Sequence, residues 1–298
     1  MSDKLKSWLL LLLLSSVWGG SFYLINLGLF DEYGNERLPS NELGAFRVTV
    51  AFIALTPILF RSFKYLNKQN IPYLIIAGIC GNGLPAFLFA YAETTLNSSI
   101  VGMLNSLVPL FTILIGALFF SFKITKTHLL GITIAVFGTF LIIKSQLQQA
   151  TLSFLELSPL LAVVLATICY ATSLNVIKYK LTNVKSTAIT SLSFMLVAPF
   201  AFTYLLSTPF LERISTQENI REGIFAIIIL AVFGTAIAVL LFNKLIKLSS
   251  PIFASSVTYF IPIVALIIGW FSGEHITIAQ IIGMSILIVG VLIINKQK

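Results

Sequence analysis

Few residues of this chain carry chemistry into its apolar stretches, and those few recur in pairs. Pro109 and Pro262 each lie inside an apolar run. Neither has the N–H that a helix needs to bond the carbonyl four residues back, which belongs to Asn105 and to Thr258 respectively. A carbonyl released beside a polar side chain is costly in hydrocarbon unless it meets protein, water or a bound solute. Both kinks are therefore expected to line a wet cavity; the competing reading is that each bends a packed helix. Asn82 and Thr235 form a second pair, each directly after a glycine. Around Asn82 the run reads Gly78, Gly81, Asn82, Gly83, Leu84, Pro85, so the helix is weak there and Pro85 is a further kink. The Asn82 amide suits hydrogen bonding to a solute or to a neighbouring helix. Trp18 and Tyr170 are a third pair, with Ser21 and Ser173 three residues later. Their rings could stack on a planar or apolar solute, or simply pack; an interfacial belt does not suit Trp18, about ten residues into its run. Tyr259, beside Thr258, is a weaker cavity candidate, and Asn175 is expected near an interface.

Arg47 is the one charge well inside an apolar run. A central Arg costs at least about 2.5–3.5 kcal/mol on insertion scales. Its long stem could snorkel outward, with Glu42 or Glu93 as partner; the alternative is a gate or a contact to substrate. Other chemistries are missing from the sequence. No Asp or Glu sits near the centre of a run, and His128 and His275 flank runs. There is no intramembrane acid pair, His-Glu-x-x-His or Gly-x-Ser-x-Gly, and no phosphate-binding loop. No buried Lys/Arg cluster is available to clamp a phosphate. Cys80 and Cys169 read as small core residues. No catalytic residue, metal or cofactor is expected.

The elements that must position these residues follow from composition. Of 298 residues, 57% are hydrophobic and 10% charged, against about 25% charged in an average soluble domain, and mean hydropathy is +0.98. Such a chain cannot coat a water-facing surface, which excludes a soluble enzyme, a nucleic-acid-binding module and a disordered protein. The expected class is an all-α integral membrane protein. Ten apolar runs stand out: Trp8–Leu29, Leu43–Phe60, Ile71–Tyr91, Ile100–Phe120, Leu129–Ile143, Ser158–Ile177, Ala188–Leu206, Ile224–Phe242, Ile252–Phe271 and Ile281–Ile294. Most approach the ~20 residues that a spanning helix needs; the fifth and tenth are short, with polar ends that could extend them. The first is too long for a signal peptide and has no small-x-small cleavage site.

With the N-terminus in the cytoplasm, inside segments hold 14 basic residues and outside loops hold 4. The positive-inside rule then puts both termini in the cytoplasm and accounts for the net charge of +8 without a nucleic-acid partner.

The halves also match each other. Shifted by 153 positions, Gly81 falls on Gly234, Pro109 on Pro262 and Gly116 on Gly269; after a one-residue gap, Gly131 falls on Gly283 and Gly138 on Gly290. Each half holds five runs, an odd number, so the second copy enters the membrane inverted. Inverted repeats typify secondary transporters, whose substrate sites lie at the repeat interface near the midplane. The division expected is a first repeat over 1–144, a linker over 145–157 and a second repeat over 158–298. Gly131/Gly138 and Gly283/Gly290, seven apart, suit close helix packing.

Over essentially its whole length the chain resembles the drug/metabolite transporter superfamily, of the type with two EamA domains. The resemblance rests on Trp18-Gly19-Gly20-Ser21-Phe22, on Phe46-Arg47, on the small-residue pattern ending at Pro109 and again at Pro262, and on Gly273-Glu274. The first half departs from it, with Phe120-Ser121-Phe122-Lys123 where the family often has Gly-Glu. The resemblance implies ten helices around a central cavity reached alternately from either side, and export of metabolites, amino acids or drugs. The function expected is a secondary transporter of a small neutral or zwitterionic metabolite across the cytoplasmic (inner) membrane, directed outward. The alternative is a lipid-carrier flippase or scramblase, which would want a groove open to lipid; a channel would want an acidic ring or a carbonyl filter. The expected partners are the solute and membrane lipids, with monomer and homodimer both open.

Overall fold

The computed structural model describes residues 3–146, 154–217, 219–249, 253–254 and 257–295. Most of the expected linker, residues 147–153, lies outside them, as do Lys296 and Lys298. Among the described residues the only β feature is an isolated bridge between Phe30 and Glu36; the rest is helical or loop. Eight helices are long and apolar enough to cross a membrane: α1 (Leu5–Leu29), α2 (Ser40–Leu59), α3 (Ile71–Ala92), α4 (Ser98–Phe119), α5 (Lys126–Ser145), α6 (Leu157–Tyr179), α7 (Ser186–Leu206) and α8 (Ile220–Leu248). Two shorter apolar helices follow, α9 (Val257–Phe271) and α10 (Ile278–Ile294). The short fifth run gains its polar ends and becomes a 20-residue helix. The eighth reaches 29 residues, well past its expected end at Phe242. Large apolar side chains such as Leu12, Phe137, Phe200, Phe233 and Trp270 are exposed around the bundle, as a surface solvated by hydrocarbon requires.

Helix pairings follow the repeat. α5 packs on α10 and α2 on α7; α1 packs on α8 and α9 while α6 packs on α3 and α4; α3 meets α7 as α8 meets α2. Exchanging the first five helices with the last five maps this set onto itself, as two inverted five-helix repeats demand. The glycine pairs explain one of these seams. A Cβ on Gly131 would sit 2.6 Å from the Gly290 carbonyl oxygen, and one on Gly290 would sit 2.7 Å from that of Gly131. Gly138 and Gly283 are reciprocal in the same way, at 2.6 and 2.9 Å. The backbones of α5 and α10 therefore touch, which only a missing side chain allows.

The weak middle expected near Asn82 is a π-helical segment, Ile79–Gly83, with Pro85 opening the α-helical turn after it. Its repeat mate in α8 is also π-helical, over Leu230–Ile237. π segments free backbone groups and redirect side chains, and both lie at the bundle centre. In α4, Pro109 follows a 3-10 turn, Asn105–Leu107.

One expectation is corrected. Asn175 is buried, and its amide donates to the carbonyls of Thr112 at 3.0 Å and Ala171 at 2.9 Å, so it joins α6 to α4 rather than lying at an interface. Both kinks do border the cavity, through Asn105 and Val108 on α4 and Thr258 and Ile261 on α9, and each kink carbonyl also has a partner within the protein. That of Asn105 accepts the Val108 N–H as the 3-10 turn closes, and that of Thr258 accepts the Ser106 hydroxyl at 3.1 Å. Tightening the turn, or borrowing a hydroxyl from the opposite repeat, costs less than hydrating a carbonyl in hydrocarbon.

Candidate functional site

One cavity lies among α1–α4 and α6–α9, with a volume of about 90 Å³. A single water needs roughly 10–15 Å³ by that measure, so the space can be wet or hold a small solute. α5 and α10 contribute nothing to its lining. It runs from the level of Arg47 and Phe22 toward Ile177, Ile189 and Ile246, at the end of the bundle that carries the α6–α7 connection.

Six of the seven residues singled out as substrate contacts line this one space: Trp18, Asn82, Asn105, Tyr170, Thr235 and Thr258. Matched positions of the two repeats thus converge. Tyr259 does not join them. It is buried facing α10, where its hydroxyl donates to the Val291 carbonyl at 3.3 Å, because one residue along a helix turns a side chain by about 100°.

Aromatic rings form much of the wall. Trp18 meets Phe242 edge-on at 4.8 Å between centroids, and its Nε1–H donates to the Gly234 carbonyl at 2.9 Å; the π segment of α8 supplies that acceptor. Tyr170 stacks on Phe89 at 5.7 Å, and Phe89 meets Phe22 edge-on at 5.7 Å. Beyond Phe22, whose carbonyl accepts the Ser98 hydroxyl at 3.3 Å, that hydroxyl also reaches Glu93 Oε2 at 2.9 Å. Burial lifts the Glu93 carboxyl well above the usual carboxylate range, opposed by the Ser98 hydrogen bond. Glu274, from the Gly273-Glu274 motif after α9, accepts the N–H groups of Ser98 and Ser99, both at 3.1 Å. It thus caps the first turn of α4 from the other repeat.

Polar groups punctuate the wall. Arg47 does not snorkel: it is 7% exposed and lines the cavity. Its Nε donates to Thr235 Oγ1 at 2.9 Å, and Thr235 donates to the Leu230 carbonyl at 3.1 Å. Neither expected acid pairs with it. Glu42 pairs with Arg213 at 3.2 Å and Glu93 with Ser98. The helix turns Arg47 inward, where Thr235 in the α8 π segment offers a closer partner than the bundle end. Among the described residues its two terminal nitrogens have no partner, yet they are not sealed off. Asn105 is 5% exposed, and its side-chain oxygen is buried with no hydrogen bond among the described residues.

Sequence reasoning missed Asn243, which lines the cavity and donates to Thr190 Oγ1 at 2.8 Å, and Ser193, which donates to the Leu74 carbonyl at 3.1 Å. An amide one position past the expected end of the eighth run was the available signal, had that helix been drawn longer. Among the described residues no cluster of His, Cys, Asp or Glu could hold a metal.

Known proteins resemble the chain both in sequence and in fold. A family model described as "EamA-like transporter family" matches residues 6–144 and 157–296. An uncharacterized transporter of Archaeoglobus fulgidus is 22% identical over 99% of this chain and 100% of its own length. A "Probable amino-acid metabolite efflux pump" of Escherichia coli is 28% identical over 55% of this chain and 52% of its own, and a pseudopaline exporter of Pseudomonas aeruginosa is 28% identical over 48% of each. A solved crystal structure superposes with a TM-score of 0.65 at 13% identity, covering 96% of this chain and 95% of the other, which is a likeness of fold.

Proposed function

The chain belongs to the EamA-like transporter family, and on that premise we propose that it exports a small neutral or zwitterionic metabolite, such as an amino acid, by alternating access through the central cavity. One observation carries this reading: six polar and aromatic positions drawn from both repeats line a single wettable space between them. That is where inverted-repeat transporters hold substrate. Ring faces suit an apolar side chain, and amide, hydroxyl and guanidinium groups suit the polar end of such a solute. The names of the Escherichia coli and Pseudomonas aeruginosa relatives support an outward direction. A cavity ringed by eight helices favours a dissolved solute over a lipid carrier. The reading includes repeats over 1–144 and 158–298, both termini in the cytoplasm, and the inner membrane as location. Counterflow of radiolabelled amino acids into proteoliposomes tests it. Exchange with at least one neutral amino acid is expected; no exchange with any would overturn the substrate class.

A further inference from the structure

We propose that the cavity selects a solute carrying both a carboxylate, gripped by the terminal nitrogens of Arg47, and an N–H group, accepted by the side-chain oxygen of Asn105. The inference rests on the reading of this cavity as the substrate site and goes beyond it by assigning the two ends of the solute to residues.

Arg47 carries the first half. A guanidinium within a span is stable only with partners for its charge, and here one donor of the fork is committed while the rest are not. The bond from Nε to Thr235 at 2.9 Å anchors the group's plane. That leaves the edge formed by the two terminal nitrogens, whose parallel N–H groups match the two oxygens of a carboxylate. No Asp or Glu lines the cavity, so its one formal charge is positive. A purely cationic solute would be repelled, while Glu93, the acid whose charge reaches Arg47, lies outside the lining and is held by Ser98. A lone Arg without a Lys or second Arg in the lining suits a singly charged planar anion better than a phosphate.

Asn105 carries the second half. Its side-chain oxygen is an acceptor, buried and without a partner among the described residues, in the wall of the same space. Orphaned buried acceptors are rare in folded proteins, and a bound ammonium, amine or amide N–H would satisfy this one. A solute with both groups engages both residues and leaves its remainder against Trp18, Phe89 and Tyr170.

The test uses thermal stabilisation of the purified full chain in detergent by two matched series. One is leucine, leucinamide and 4-methylpentanoate; the other is phenylalanine, its amide and 3-phenylpropanoate. In unmutated protein, amidation is expected to raise the half-saturating concentration by about ten- to hundredfold, the usual weight of hydrogen bonds to a charged group. Removing the amine should raise it by a smaller factor. Arg47→Gln should abolish the penalty for amidation and Arg47→Lys retain part of it, while Asn105→Ala should abolish the penalty for losing the amine. Equal response of unmutated protein to acid and amide overturns the inference even if Arg47→Gln fails to fold, and leaves export through the cavity standing. No stabilisation by any member, together with no counterflow, overturns the proposed function and this inference with it.

Discussion

Gly138→Ala tests the packing logic of the bundle without touching the cavity. A Cβ placed on Gly138 would lie 2.5 Å from the Leu287 backbone nitrogen and 2.6 Å from the Gly283 carbonyl oxygen. Both are backbone atoms, so no rotamer change relieves the clash, and α5 must move about 0.9 Å from α10 to restore a 3.4 Å contact. Gaps of 0.5–1 Å forfeit roughly a quarter to a half of each neighbouring dispersion contact, and overpacking of this kind costs about 1–3 kcal/mol. For a chain of this size that is a fall in Tm of about 2–10 °C. Gly20→Ala is the internal control. Its Cβ would meet only Ile268 Cδ1 at 3.5 Å, an ordinary contact, so Tm should hold or rise as the helix gains up to ~1 kcal/mol from losing a glycine. The assay is thermal unfolding of both variants in detergent, with counterflow in parallel. Because α5 lines none of the cavity, Gly138→Ala should transport at the wild-type rate at temperatures where it is folded. A Gly138→Ala protein as stable as wild type, or a Gly20→Ala protein less stable than it, would refute the reasoning.

Other consequences are also measurable. Asn105→Ala should reduce transport by about two- to tenfold while moving Tm little, since no protein partner among the described residues is stranded; a loss of stability as large as that of Gly138→Ala would make Asn105 structural. Glu274→Ala should cost about 1–2 kcal/mol by uncapping α4, and Glu274→Gln less, read from thermal melts; equal melts for all three proteins would remove the cap from the account. The proposed topology, with both termini cytoplasmic, requires a cysteine at position 217 to label from outside the cell and one at 180 only after permeabilisation, and the reverse pattern would invert it.

How much of this was legible in the sequence depends on the scale of the question. Helix number and the repeat were legible because hydrocarbon imposes long apolar runs, and because Pro and Gly are too constrained to recur at matched places by composition alone. The seam of Gly131, Gly138, Gly283 and Gly290 was readable for the same reason. The convergence of Trp18, Asn82, Asn105, Tyr170, Thr235 and Thr258 was readable because each sits at a matched mid-run position, and inverted repeats bring such positions together. What was lost depended on rotation and on contacts between the halves. Tyr259 differs from Thr258 by one residue and faces another helix. Arg47 is near enough to a bundle end to snorkel, yet turns inward to Thr235, which no pattern within α2 announces. The carbonyl released by Pro262 finds Ser106 across the repeat interface, a partner 152 positions away. Asn243 was missed because the apolar run was closed at Phe242, one residue before it.

The central claim, that solute crosses through the space between the repeats, is tested most directly by filling that space. Val239 lines the cavity on α8 and is only half-buried, so a Val239→Trp indole is placed to occupy its volume of about 90 Å³. Counterflow in proteoliposomes should fall to the protein-free background for this variant while its Tm stays within a few degrees of wild type. Val239→Trp protein that is folded and exchanges solute at the wild-type rate would contradict the account.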